Sequence, residues 1–85
     1  MRIKDGFELV NHDGQSFVIN TDNVKKEIHL SKFGLFLWKL LKGKEVSKSK
    51  MLNELLSAFD ISTVLALGEI DLFLRTMRES EIIEE

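Results

Sequence analysis

The sequence predicts a small α+β domain in which a three-stranded antiparallel sheet is followed by three helices. Apolar and polar residues alternate over the first 30 residues, whereas apolar residues recur at helical spacing from residue 31 onwards. The chain has 85 residues, of which 44% are hydrophobic, so it is long enough for one core and too short for two. We therefore expect a single domain over residues 1–85.

The first two strands are predicted at residues 7–11 and 16–20, because apolar side chains take alternate positions in both segments. Between them lies the step Asp13-Gly14, which suits the positive φ angles of a tight hairpin turn. A third, short strand is predicted at residues 26–30. The residues downstream carry no further strand signal, so we expect at least one edge of the sheet to remain unpaired.

Three helices follow, and each is predicted to begin after a serine that caps it. Ser31 precedes the first helix, which Gly43 ends, and Ser47 precedes the second. Ser62 precedes a third helix over residues 63–79. The stripe of this helix that should face the core consists of Ala66, Leu67, Ile70, Phe73, Leu74 and Met77.

Leu65 and Leu72 lie outside that stripe. At 100° per residue they point about 140° away from its centre. A leucine pair in this position either packs under a neighbouring element or lines a groove.

Composition and motifs exclude several classes of protein. The chain has no Cys, so it forms neither a disulfide framework nor a thiolate metal site. No apolar run approaches the roughly 20 residues that span a bilayer, and the first residues are charged, so we expect a cytoplasmic protein that is neither secreted nor inserted in a membrane. His12 and His29 are the only imidazoles, and no phosphate-binding glycine loop or nucleophile elbow is present. We expect no catalytic activity, no metal and no cofactor.

The charges are segregated along the chain although the net charge is only −2. Residues 25–50 carry eight Lys against two acids, and residues 51–85 carry eight acids against two Arg. A basic middle attracts an acidic partner, whereas an acidic C-terminal half repels a polyanion such as DNA.

The segment from Leu30 to Gly43 resembles the signature of the PqqD-like family, which places a small residue in the first helical turn, an apolar–Trp pair in the middle and a Leu-x-Gly ending. The residues that match are Leu30, Gly34, Leu37, Trp38, Leu41 and Gly43. The resemblance extends over residues 16–83, through Met51, Leu55 and Phe59-Asp60-Ile61 and then Ile70, Phe73-Leu74 and Met77.

This resemblance implies a winged-helix-like, non-catalytic module that captures the leader segment of a ribosomally made, post-translationally modified peptide. The leader is held as an added strand on the sheet edge, against the third helix, and is presented to a modifying enzyme, often a radical S-adenosylmethionine protein. We expect Trp38 to belong to the core, and Lys25, Lys26 and Lys32 to attract an acidic peptide. The predicted peptide-binding residues are Lys25, Lys26, Glu27, Ile28, His29, Leu30, Leu65, Glu69, Leu72 and Thr76.

The sequence departs from the family pattern at three positions. Ser31 stands in place of Asn and keeps the helix cap, and Glu69 stands in place of Asp. Glu81 stands where a Gly commonly precedes the last apolar pair, so we expect the third helix to continue past Glu81.

Two other functions fit the same fold. One is a protein-docking scaffold that binds no leader. The other is a winged-helix DNA-binding protein, which is disfavoured because residues 63–85 have a net charge of −4 and because the strands precede all three helices. The sequence also leaves open a monomer or a dimer that pairs its edge strands.

Overall fold

The computed structural model of the chain describes residues 1–84, except for the side chains of residues 23–26. Its elements in chain order are β1 (Arg2–Ile3), β2 (Phe7–His12), β3 (Gln15–Asn20), β4 (Asn23–Leu30), α1 (Lys32–Leu41), α2 (Lys48–Ala58), α3 (Thr63–Glu79) and β5 (Ile83–Glu84). Strands β2, β3 and β4 form an antiparallel sheet in that spatial order, while β1 pairs with β5. The predicted fold class, an α+β domain with a three-stranded antiparallel sheet followed by three helices, is confirmed.

The β2–β3 hairpin turns at the predicted dipeptide. Asp13 and Gly14 have φ angles of 52° and 76°, which is the signature of a two-residue type I′ turn. His12 therefore pairs with Gln15, and this pairing sets the register of the whole sheet. The third strand is longer than predicted, because its pairing with β3 extends it back to Asn23.

All three helices begin where the serines predict. The hydroxyl groups of Ser31, Ser47 and Ser62 each accept a hydrogen bond from the backbone N–H three residues ahead, at 3.2, 3.2 and 3.1 Å. This bond satisfies one of the donors that a helix leaves unpaired at its N-terminus. Gly43, with φ of 75°, follows α1 as predicted.

The core lies between one face of the sheet, here called the inner face, and the three helices. Val18 and Leu30 contribute to it from the sheet, and Trp38 is only 2% exposed, as predicted. Five of the six residues predicted for the core stripe of α3 are buried, but the prediction for Leu67 is wrong, because it is 36% exposed. Leu67 lies at the border of the stripe, where helical periodicity alone does not separate contact from exposure.

The end of α3 confirms the bounds predicted from periodicity, residues 63–79, and shows that the expectation of a helix continuing past Glu81 is wrong. The helix stops at Glu79, and Glu81 itself adopts the left-handed conformation, with φ of 57°. The Ile82 N–H donates to the Met77 carbonyl at 2.9 Å, and the Glu81 N–H donates to the Arg78 carbonyl at 3.0 Å. These two bonds form a Schellman motif, which normally places Gly at the left-handed position. The reversal turns Ile82 into the core, where it is fully buried.

The same reversal creates a strand that the sequence did not predict. Ile83 in β5 pairs with Ile3 in β1, and the Arg2 guanidinium contacts the Glu84 carboxylate at 2.9 Å. Two-residue strands are too short to show any periodicity, so only the folded chain brings them together.

Candidate functional site

A groove runs between β4 and α3 and reaches the first turn of α1. Its volume is about 260 Å³. We call it the edge groove, and it is lined by His29, Leu30, Ser31, Gly34, Glu69, Leu72, Phe73, Thr76 and Met77. The strand contributes the first two residues, the α1 N-terminus the next two, and α3 the others.

The outer edge of β4 is unpaired in the part of the chain that the structure describes. In an antiparallel ladder, residues opposite each other alternate between hydrogen-bonded and non-hydrogen-bonded pairs. The two-residue turn makes His12 and Gln15 a hydrogen-bonded pair, so on β3 the backbone groups of Ser16 and Val18 point towards β4. Their partners, Leu30 and Ile28, are thereby bonded to β3.

The intervening residues Glu27 and His29 therefore direct their N–H and C=O groups to the open edge. The close approach of the Phe17 and His29 rings, with centroids 5.3 Å apart, is typical of a non-hydrogen-bonded pair and agrees with this assignment. An extended segment placed beside β4 would meet two donors and two acceptors there, next to the edge groove.

The floor of the edge groove is apolar and its rim is mixed. Leu30, Phe73 and Met77 are buried beneath it, whereas the side chain of Leu72 stands at the rim and is 50% exposed. Glu69, Thr76 and Ser31 supply the polar part of the lining. The arrangement has backbone donors and acceptors along one side and an apolar wall along the other, which suits an extended peptide.

Gly34, in the first turn of α1, lies beside Leu30 at one end of the groove. A Cβ built on Gly34 would lie 3.4 Å from a methyl carbon of Leu30. The Ser31 hydroxyl, which accepts from the Gly34 N–H, lies at the same end of the groove. The strand therefore passes directly into the helix at the groove wall.

The predicted site residues divide into five groups. His29, Leu30, Glu69, Leu72 and Thr76 line the edge groove. Glu27 reaches the open edge through its backbone, while its side chain is exposed on the outer face of the sheet.

Two further predicted residues, Ile28 and Leu65, do not line the edge groove. Ile28 lines a separate cavity of about 340 Å³ beneath the sheet, together with Phe7 and Val18. Leu65 is 45% exposed on α3. The side chains of Lys25 and Lys26 lie outside the described residues. The role of all ten residues in peptide binding stays a prediction.

The sequence prediction missed four lining residues. Phe73 and Met77 were assigned to the core, and each also borders the groove. Ser31 and Gly34 were assigned to the helix start, although their position directly after an edge strand could have placed them at the site.

The described side chains bring no three His, Asp or Glu together in a way that could hold a metal ion. No helix among the described residues is long and apolar enough to cross a bilayer.

Of the charged residues around α3, Asp71 contacts Lys48 of α2 at 2.7 Å, and Arg75 lies 4.0 Å from Glu79.

No known protein-family model and no curated protein sequence matches this chain. Among solved structures, the chain is similar to TbiB1, determined in complex with the TbiA(beta) leader peptide. Its fold is similar to that of TbiB1. The superposition has a TM-score of 0.75 and covers 99% of this chain and 95% of TbiB1, with 19% sequence identity. At this identity the likeness to TbiB1 establishes the fold.

Proposed function

We propose that this chain is a non-catalytic peptide-binding module that captures the leader segment of a ribosomally made precursor peptide. The observation that carries the proposal is the open edge of β4 beside the apolar wall of α3. The leader adds to the sheet as a further strand and occupies the edge groove, and the module then presents it to a modifying enzyme.

The binding mode follows from strand geometry. The leader backbone exchanges hydrogen bonds with the N–H and C=O groups of Glu27 and His29. Side chains alternate along a strand, so every second leader residue faces α3. An apolar leader residue at such a position contacts Leu72 and the buried Phe73 beneath it.

Two further observations support a leader as the ligand. TbiB1, which has a similar fold over nearly its whole length, was determined in complex with a leader peptide. The residues from Leu30 to Gly43 also resemble the PqqD-like signature. These two observations support a peptide-recognition element of modified-peptide biosynthesis, and the second favours the PqqD-like type. Our proposal includes a cytoplasmic location and a modifying enzyme as partner, for which a radical S-adenosylmethionine protein is one candidate.

Charge favours an acidic leader. Lys32, at the start of α1, is exposed and forms no ion pair with a described carboxylate. Lys25 and Lys26 precede Glu27 along the same strand. These lysines raise the rate of association with an acidic peptide, and salt weakens the effect because exposed charges are screened.

The competing functions make different demands on α3. A DNA-recognition helix directs Arg, Lys, Asn or Gln towards bases and phosphates. The exposed residues of α3 include Val64, Leu65 and Leu72, as well as the carboxylate of Asp71. The exposed charges of α3 are balanced, since Asp71 and Glu79 stand against Arg75 and Arg78, and its exposed apolar side chains favour a peptide over a polyanion.

The test begins with a search for a short precursor gene and a modifying-enzyme gene beside the gene for this chain, and continues with a titration of ¹⁵N-labelled protein with the leader of that precursor. Saturable amide shifts centred on Glu27 to Leu30 and on residues 69–77 are the expected result. No shift at millimolar peptide would refute the pairing with that leader. Duplex DNA and the neighbouring modifying enzyme, added to the same sample, distinguish a DNA-binding protein and a docking scaffold.

Strand addition has a control of its own. Two forms of the leader carry N-methyl groups on alternate sets of backbone amides, so one set faces β4 and the other faces away. Only the set that faces β4 should abolish binding. Equal loss with both sets, or with neither, would contradict binding by an added strand.

A further inference from the structure

The sheet has a second edge, on β2. This strand lies at the opposite side of the sheet from β4, about 10 Å away across β3. Between β2 and α1 lies a shallow depression of about 510 Å³, which we call the β2 depression. It is lined by Glu8, Leu9, Trp38, Lys39 and Lys42.

The register determines which backbone groups β2 presents. Because Val10 and Glu8 form hydrogen-bonded pairs with β3, the N–H and C=O groups of Phe7, Leu9 and Asn11 point to the outer edge. The carbonyl of Phe7 accepts a hydrogen bond from the Lys42 ammonium at 2.9 Å, which agrees with this assignment. Leu9 and Asn11 thus present two donors and two acceptors.

Two cations face this edge without a carboxylate partner among the described residues. Lys39 is exposed and forms no ion pair there, and neither does Lys42. The Lys42 ammonium lies 5.6 Å from the centre of the Trp38 ring and covers it. Glu8 also lines the depression, but it forms no ion pair with either lysine, because along β2 its side chain points to the outer face of the sheet.

We propose that the β2 edge docks an extended, acidic segment of a partner protein. The segment adds to β2 through the backbone of Leu9 and Asn11, and its carboxylates contact Lys39 and Lys42. This surface is separate from the edge groove, so a leader and a partner protein could be held at the same time. The inference stands whether or not the edge groove binds a leader.

A second copy of this chain fits the edge poorly. If two β2 strands paired, the side chains facing α1 would be those of Phe7, Leu9 and Asn11, none of which carries a negative charge. The pairing would also bring Lys39 and Lys42 of both copies to one seam. Charge complementarity therefore favours a foreign acidic strand.

The test uses a synthetic ten-residue peptide that alternates glutamate with valine and threonine, and a counterpart with lysine in place of each glutamate. Trp38 is the only tryptophan of the chain, so its fluorescence reports directly on the β2 depression. The acidic peptide should change the Trp38 emission and shift the amide signals of Leu9 and Asn11. Binding of this peptide should be weaker in 0.5 M salt, where the Debye length is roughly 4 to 5 Å and exposed charges are screened. The lysine peptide should change neither the Trp38 emission nor the amide signals of Leu9 and Asn11.

The variant Lys39→Glu should weaken binding of the acidic peptide by about threefold to tenfold, since it replaces an attraction by a repulsion. Lys39 is exposed, so the fold should be unaffected, and circular dichroism checks this. Lys50→Glu is the matched control, because it makes the same charge change on α2 and away from the depression.

Three outcomes would overturn the proposal. Shifts at Glu27 and His29 instead of Leu9 and Asn11 would mean that the peptide uses the β4 edge. Shifts that depend on protein concentration without peptide would identify a second copy as the occupant. The absence of any change at millimolar peptide would mean that Lys42 only protects the edge against unwanted pairing, a common role of lysine on edge strands.

Discussion

Truncation of Leu72 to alanine should weaken leader binding while the domain stays folded. The Leu72 side chain is 50% exposed at the rim of the edge groove. Complete burial of a leucine side chain contributes about 1.5 to 3 kcal/mol. A bound leader can bury only the exposed half, which gives about 0.8 to 1.5 kcal/mol. The dissociation constant of the leader should therefore rise roughly fourfold to twelvefold for Leu72→Ala.

The matched control for Leu72→Ala is Val64→Ala. Val64 lies on the same helix and is 82% exposed, but it does not line the edge groove. This substitution should leave the dissociation constant within about twofold of the original value. Fluorescence anisotropy of a labelled leader measures both constants, and urea unfolding measures the stability of both variants.

A third variant, Leu72→Asp, distinguishes a leader that contacts position 72 weakly from a leader that does not contact it. It places a charge at the rim beside Glu69, and it should reduce binding of an acidic leader further than Leu72→Ala does. Equal losses for Leu72→Ala and Val64→Ala would refute the assignment of the groove. Unchanged binding by both Leu72 variants would show that the leader does not contact this wall.

Three predictions concern stability. Glu81→Gly should raise the free energy of unfolding by about 1 kcal/mol, because glycine adopts the left-handed conformation without steric strain; an unchanged or lower urea midpoint would contradict the Schellman geometry. Ser62→Ala should lower the free energy of unfolding by about 1 kcal/mol, because the helix loses the hydrogen bond that the Leu65 N–H donates to the Ser62 hydroxyl. Ser62→Asp, which keeps an acceptor, should recover most of this loss in urea unfolding. Lys48→Ala should lower the free energy of unfolding by no more than about 1 kcal/mol, because the salt bridge from Lys48 to Asp71 is exposed. A larger loss in urea unfolding would mean that this salt bridge holds α2 against α3.

Much of the fold could be predicted because its signals are local. The serines at 31, 47 and 62 act on a backbone N–H three residues away, and Asp13-Gly14 forms its turn within four residues. Both effects depend on neighbours in the chain. Periodicity likewise identified the buried side of α3, apart from its border at Leu67.

The candidate site could be predicted only in part. The expectation of an open edge followed from having three strands, and Leu72 followed from its position outside the core stripe of α3. The sequence could not show that Leu65, on the same side of the helix as Leu72, does not line the groove. Which of two exposed leucines borders β4 depends on how the helix packs against the strand.

The sequence by itself determined which segments form the helices and the strands of the main sheet, because these signals depend on residues a few positions apart. The pairing with β3 decided how far β4 extends. The tertiary structure decided which of those elements contact each other. It paired Arg2 with Glu84, 82 residues apart, and held Glu81 in a left-handed conformation so that Ile82 could be buried. It also placed α3 beside one open edge of the sheet and α1 beside the other. Long-range packing controls these choices, since local propensities are too weak to do so.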